Sequence, residues 1–472
     1  VQLIRKVTGL AAIAALALSA CQSTSASRAS STSVASTTTV APAVLQFATC
    51  SKVQCATVNV PTDWWTPGLG TIALNVYRRL GSADASQKVP LFIHPGGPGA
   101  DMAGVMAKVD QLLGKDVEYF DIVGLSTRAS PDKTPAQCVD SLNPIVLASA
   151  SDAAAKEVAD GCLNFSGSLI DHSGTLESVE DLDYLRRSLG YSQVNFLGWS
   201  YGATLGTAWV MVHPASLKNV VLDAPGDPGQ PWSIQYQAEL DAQQADLKAG
   251  MQACTETPSC PLGKLALEKV QQLATSLRTK PLPAVSNGLE VNDVSLGIAA
   301  ELSMYSGDLT NFISAAQSAM KGNAKPIADL VDGRLGRLPN GKDDGGMETQ
   351  ILVRCSDTTH ADDQAAINVD SQFTPSVIRV GLGAALNRVC LHLPEPSHPL
   401  GDVAASTLAS AANVMVVSSQ GDPVIPYSVS SALANRFGWG LVPVTSIAHL
   451  SVGFDATATS RALQCLRQGQ CS

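Results

Sequence analysis

No CxxC pair occurs in this sequence, and no cluster of cysteine and histidine has the spacing of zinc ligands, so a finger-type metal site is excluded. Charge is sparse, at 15% of residues, and basic residues are the scarcer sign, 31 against 41 acidic. The net charge of −10 argues against sequence-independent binding to nucleic acid. Aromatics are only 5%. The apolar run at the N-terminus, Gly9 to Leu18, is too short to span a membrane comfortably. No internal repeat is visible. What is present is apolar aliphatic material: 45% of the 472 residues are hydrophobic, ample for a globular core. The length suits one large domain with an insertion, or two to three average domains.

The N-terminal residues read as a targeting segment rather than as fold. Residues 1–20 carry Arg5 and Lys6 ahead of the apolar run. They end in LSAC, which resembles a bacterial lipobox with Cys21 as the lipidated residue. Residues 21–44 are rich in Ser, Thr and Ala and read as a disordered tether. The expectation is an exported lipoprotein held on the outer face of a bacterial cell membrane. Setting Cys21 aside leaves an even ten cysteines. Their clustering suggests that neighbours pair in order: Cys50–Cys55, Cys138–Cys162, Cys254–Cys260, Cys355–Cys390 and Cys465–Cys471. Sequence alone leaves the connectivity open, but an oxidising compartment fits.

Beyond the tether, ATVNVP (56–61) and TIALNVYRR (71–79) alternate as half-buried strands do. PLFIH, EYFDIVGLS (118–126), SQVNFLG, LKNVVLD and, much later, NVMVVSSQGD (413–422) and LVPVTSIAHL (441–450) read as further strands. Between them lie helical patterns. One runs from Thr175, placed to cap it, to Gly190, and another spans 428–437. Residues 229–403 are helix-like, with amphipathic pieces at 234–254, 262–277, 295–320 and 363–368. Strands alternating with helices predict an α/β fold with a mostly parallel sheet flanked by helices. The domain plan is a core of 45–228, a helical cap inserted at 229–403, and a core completed by 404–472.

One short stretch carries the chemistry. Gly198-Trp199-Ser200-Tyr201-Gly202 follows a predicted strand and opens a predicted helix, the setting of a nucleophile elbow. A serine hydroxyl needs a base, and the base needs an acid to orient it. In this fold the acid and the histidine follow the serine in chain order. His449 lies just past the last strand, whereas His360, His392 and His398 fall in the cap. Asp422 ends the preceding strand, with Asp402 and Asp455 as the alternative acids. Ser200, Asp422 and His449 are therefore the candidate triad. The backbone N–H groups of Tyr201 and of Gly97, in HPGGPG, are the candidate oxyanion donors. HPGGPG lacks the GKS/T ending of a P-loop and the GxGxxG spacing of a dinucleotide site. No metal or organic cofactor is expected.

Taken together, GGPG, EDLDYLRRSLG, GWSYG, VVLDAPGDP, ILVRCSD and DPVIP followed by His449 resemble a known family. It is the exported actinobacterial branch of the α/β-hydrolases, akin to tripeptidyl aminopeptidases and proline iminopeptidases, with a C-terminal block similar to the tripeptidyl-aminopeptidase-like domain. The resemblance implies an aminopeptidase that releases short peptides from free N-termini, or an ester hydrolase using the same pocket. It further implies that cap carboxylates hold the substrate amino group, with Asp357 and Glu301 as candidates, and that Cys355 and Cys390 pair within the cap. The partners expected are a peptide or ester substrate and a membrane reached through the lipid. The sequence departs from the family at Ser126-Thr127-Arg128-Ala129, where an Asp-Pro-Arg-Gly turn is usual. Because this turn is expected near the pocket, the change bears on substrate type. It also motivates a rival reading, a non-catalytic lipoprotein that keeps the fold for binding.

Overall fold

The computed structural model describes residues 40–133, 135–147, 151–283, 290–372, 383–402 and 412–472. The predicted signal segment, Cys21, the tether up to residue 39 and the predicted cap boundary at 403 lie outside the described residues.

A nine-stranded sheet organises the chain. Its strands are β1 (Ala48–Cys50), β2 (Val53–Pro61), β3 (Thr71–Arg79), β4 (Val89–His94), β5 (Phe120–Leu125), β6 (Val194–Trp199), β7 (Leu217–Asp223), β8 (Asn413–Ser419) and β9 (Gly440–Val444). Their order is β1-β2-β3-β5-β4-β6-β7-β8-β9. β1, β2, β3 and β5 pair antiparallel in turn, and every pairing from β5 to β9 is parallel. The parallel strands are covered on both faces, which is why they read as unbroken apolar runs. Strand alternation sorts their side chains into two layers. Phe92, Phe196, Val220 and Val416 pack with the helices Thr175–Ser188 and Tyr201–Val212. Ile93, Leu197, Val221 and Val417 pack with the helices Met102–Leu113 and Ala456–Gln468.

After β7 the chain leaves the sheet for a run of helices and rejoins it only at β8. This is the large helical insertion of an α/β-hydrolase fold. Disulfides join Cys50–Cys55, Cys138–Cys162, Cys254–Cys260, Cys355–Cys390 and Cys465–Cys471. Among the described residues no helix is long and apolar enough to cross a membrane.

Several local expectations need correction. The predicted helix at 295–320 is two helices, Asp293–Tyr305 and Thr310–Met320, because Gly307 takes a left-handed φ of 69° and ends the first. Thr175 is the first helical residue and not the cap, which is Gly174. Its hydroxyl is drawn instead to Asp357, at 2.6 Å. The end of the predicted tether is bound to the core. Ala43 N–H donates to Ser188 Oγ at 2.9 Å, and the carbonyls of Val40 and Ala41 accept from Arg187 and Tyr184.

Candidate active site

Ser200 stands between the end of β6 and the helix Tyr201–Val212 with φ 55° and ψ −125°, a backbone state that an L residue adopts only under constraint. Two glycines make the constraint possible. A Cβ at Gly198 would lie 2.2 Å from the Gly202 carbonyl oxygen, and one at Gly202 would lie 2.2 Å from that of His94. With only hydrogens there, strand and helix close on each other and the turn is forced to its tip. The Ser200 N–H donates to the Asp223 carbonyl on β7 at 2.8 Å, which fixes the turn to the sheet.

His449 Nε2 lies 2.9 Å from Ser200 Oγ. On the other side of the ring, Nδ1 lies 2.8 Å from Asp422 Oδ2 and 3.0 Å from Oδ1. Asp422 is fully buried and the His449 side chain is 4% exposed. Asp422 Oδ1 also accepts the N–H groups of Val424 (2.8 Å) and Ile425 (3.0 Å), so the carboxylate cannot swing away from the ring. The histidine loop is held from the insertion, where the Tyr305 carbonyl accepts the His449 N–H at 3.1 Å. It is held from the sheet as well: Asp223 Oδ2 accepts the N–H groups of Ser451 (2.8 Å) and Val452 (2.7 Å). Burial pushes the Asp223 carboxyl up to about 7. Sequence reasoning passed over Asp223, although it sits in the quoted VVLDAPGDP at a strand end facing the elbow.

The glycine loop after β4 packs against the elbow. A Cβ at Gly96 would fall 2.4 Å from the Trp199 carbonyl oxygen and 3.2 Å from the Tyr201 nitrogen. The Gly96 N–H is already used, donating to His94 Nδ1 at 3.2 Å. Burial pushes His94 down to about 3, which keeps the imidazole neutral and Nδ1 free to accept. The Gly97 N–H makes no hydrogen bond among the described residues. Tyr201 opens its helix, so its N–H has no intrahelical acceptor. Gly97, Ser200 and Tyr201 line one cavity.

That cavity measures about 360 Å³ and is roofed by the helical insertion, with Tyr236, Glu239, Glu301, Tyr305, Arg334 and Arg354 among its walls. Both carboxylates singled out in the sequence line it, but each is already engaged. Glu301 takes both Nε and Nη2 of Arg334, at 3.1 and 3.0 Å. Asp357 accepts Thr175 N–H at 2.7 Å and Thr175 Oγ1 at 2.6 Å. Burial pushes Asp357 up to about 7. Glu239 lines the same cavity, accepts only Gln243 Nε2 at 3.0 Å among the described residues, and is pushed up to about 8 by burial and by Glu301. It lies at helical spacing between the buried Tyr236 and Gln243 on the helix Trp232–Glu256, the one signal that could have marked it.

The Ser126–Ala129 turn was expected near the pocket, and none of its residues lines it. Arg128 is buried within the protein. Its Nε and Nη2 donate to Asp181 at 2.7 and 2.8 Å, and its other donors reach the carbonyls of Pro61, Thr62 and His172. The arginine stitches β2 to the helix Thr175–Ser188. Ala129 holds φ 63° where the family's glycine would sit, so the exchange is a matter of backbone strain and not of substrate contact.

With this geometry in place, comparison with known proteins is informative. The family described as alpha/beta hydrolase fold matches residues 89–439. The chain belongs to the α/β-hydrolase family. Among its relatives, serine protease Hip1 of Mycobacterium tuberculosis is 26% identical over 432 residues, covering 84% of this chain and 82% of that protein. Carboxylesterase B of the same species is 29% identical over 431 residues, covering 85% and 81%. Tripeptidyl aminopeptidase of Streptomyces lividans is 31% identical over 205 residues, covering 40% of this chain and 38% of that protein. Relatives named as protease, peptidase and esterase share one reaction type, so this α/β-hydrolase is an enzyme of the serine-hydrolase kind. A small-molecule substrate fits the hydrolase fold.

Proposed function

We propose that this protein is an exported, lipid-anchored aminopeptidase that releases short peptides from free N-termini through Ser200, His449 and Asp422. The observation that carries the reading is the hydrogen-bonded chain from Ser200 Oγ through His449 to Asp422, opening into a cavity walled by carboxylates. Ser200 Oγ attacks the carbonyl carbon while its proton passes to His449 Nε2. Asp422 keeps Nδ1 protonated and stabilises the imidazolium. The N–H groups of Gly97 and Tyr201 receive the oxyanion. His449 then gives its proton to the leaving nitrogen as the C–N bond breaks. Water, deprotonated by the same histidine, attacks the acyl-enzyme, releasing the acid and restoring Ser200. Glu239, which makes no ion pair among the described residues and lies in electrostatic range of Arg354 and Arg334, supports a free amino group on the acyl side, whose ammonium would draw its carboxyl into the ionised form. The N-terminal apolar run and LSAC support export and lipidation at Cys21.

Esterase action on the same residues is a second reading, favoured by the long alignment with a protein named carboxylesterase B. The test is fluorophosphonate labelling of the chain beside Ser200→Ala, with free and N-acetylated peptide amides and short-chain esters. Labelling lost in Ser200→Ala, with cleavage confined to free-amine peptides, is the expected result. Cleavage of esters whatever the state of the amine assigns the esterase, and a folded protein that resists labelling refutes the triad.

A further inference from the structure

Arg354 reaches the cavity from the helix Gly346–Asp357, on the face it shares with Gln350, Val353 and Asp357. A guanidinium carries five N–H donors in a fixed plane. In Arg128 all of them are used inside the protein. In Arg334, Glu301 supplies the counter-charge. Arg354 has neither arrangement. Its one hydrogen bond among the described residues runs from Nη1 to Asn387 Oδ1 at a long 3.4 Å, and it forms no ion pair there. Its Cζ lies 3.6 Å from the ring centroid of Trp232, so the flat face is stacked while the donor edge stays unsatisfied.

Glu239, Asp363 and Asp357 lie in electrostatic range of Arg354, but none of them makes an ion pair with it among the described residues. Asp357 is held by Thr175 through both oxygens, and Asp363 Oδ1 accepts from Thr358 Oγ1 (2.8 Å) and Asn387 Nδ2 (2.6 Å). Burial pushes Glu239 up to about 8 and Asp357 to about 7, so near neutral pH these two balance the cation only in part, while Asp363, pushed up to about 6, stays mostly ionised. Burial also draws Arg354 below its ordinary value, outweighing the opposite pull of Glu239, Asp363, Tyr236 and Asp357. A planar donor fork withdrawn from bulk water, facing the substrate cavity and making no ion pair among the described residues, is built to take a carboxylate.

We propose that Arg354 binds a carboxylate side chain in the acyl part of the substrate, so that the enzyme prefers peptides with an aspartate or glutamate among the residues it releases. The proposal rests on the Ser200 site described above. It selects the side chain and not the C-terminal carboxylate of a short peptide, which offers the same chemistry on the leaving side.

The experiment compares free-amine peptide amides that carry Glu or Gln at each of the first three positions, together with the Gln peptides as C-terminal free acids. kcat/KM is measured for the parent, Arg354→Gln and Arg354→Lys. Equilibrium binding of the same amides is measured by calorimetry on Ser200→Ala with and without Arg354→Gln, which reads the subsite without turnover. The expected result is a preference for Glu over Gln of about tenfold or more at one position. It collapses towards unity in Arg354→Gln and survives in part in Arg354→Lys. If Arg354→Gln is unfolded in a thermal melt, a partial loss of the preference in folded Arg354→Lys carries the same conclusion. Equal use and equal binding of Glu and Gln peptides by the parent overturns the proposal, as does a preference untouched by both substitutions. A preference for free acids over amides with no Glu–Gln difference overturns it in favour of the leaving-side carboxylate. Failure to label Ser200 condemns the catalytic reading alone, because the calorimetric comparison still decides the role of Arg354.

Discussion

Replacing Asp422 with asparagine isolates what the buried carboxylate does for His449. The substitution keeps size and shape and changes only charge and donor pattern. In the native site Oδ1 accepts two backbone N–H groups, from Val424 and Ile425, while His449 Nδ1 lies within 3.0 Å of both oxygens. An amide must keep its oxygen on the two N–H donors, because turning over would set its NH2 against them. The NH2 then faces His449 Nδ1, which must become an acceptor, and the proton moves to Nε2. In that tautomer Nε2 donates towards Ser200 Oγ, 2.9 Å away, and can no longer take its proton. The expected loss is about 10⁴ in kcat, or about 5.5 kcal/mol in the barrier, with KM little changed. The assay is single-turnover acylation by an activated ester, beside a thermal melt that confirms the fold. A folded Asp422→Asn enzyme with kcat within about tenfold of the parent refutes the tautomer argument.

The strained turn offers an independent check: Ser200→Gly relieves φ 55° and should raise stability by about 1 kcal/mol while abolishing turnover, read as a shift in the urea midpoint at constant m-value. A fall in the midpoint would show that the serine hydroxyl contributes more than the strain costs. Buried acids set the pH dependence of stability. Glu177 is pushed up to about 8 by burial and has an unpartnered Oε2. Its folded value lies above the unfolded one, so the folded state holds the proton longer and stability falls as pH rises from the ordinary carboxylate range towards 8. Melting temperatures from pH 5 to 8 should therefore decline, less steeply in Glu177→Gln, and equal slopes would place the effect elsewhere.

The elbow could be read from the chain because its causes are local. A strand, a turn and a helix follow one another within a few residues, and the glycines that allow their contact are Gly198 and Gly202, beside the serine they position. The parallel strands were legible for a similar reason, since burial on both faces leaves an apolar run that stands out in any window. The cysteine clusters placed each disulfide partner close in sequence, with separations of 5 to 35 residues. Helix boundaries in the insertion were less legible, because a periodic pattern continues across Gly307 although the backbone does not.

What only the tertiary structure decided is which charged groups are free. Asp357 and Glu301 looked alike as acids of the insertion. One meets Thr175 across 182 residues of sequence, and the other meets Arg334 two helices away. Arg128 and Arg354 looked alike as arginines in quoted motifs. One is enclosed by carbonyls at the end of β2, the His172 carbonyl and Asp181, while among the described residues the other has a tryptophan face and a single long hydrogen bond. Backbone conformation is dictated by neighbours in sequence. The partner of a buried charge is dictated by where distant segments cross, and that crossing is set by the order of strands in the sheet.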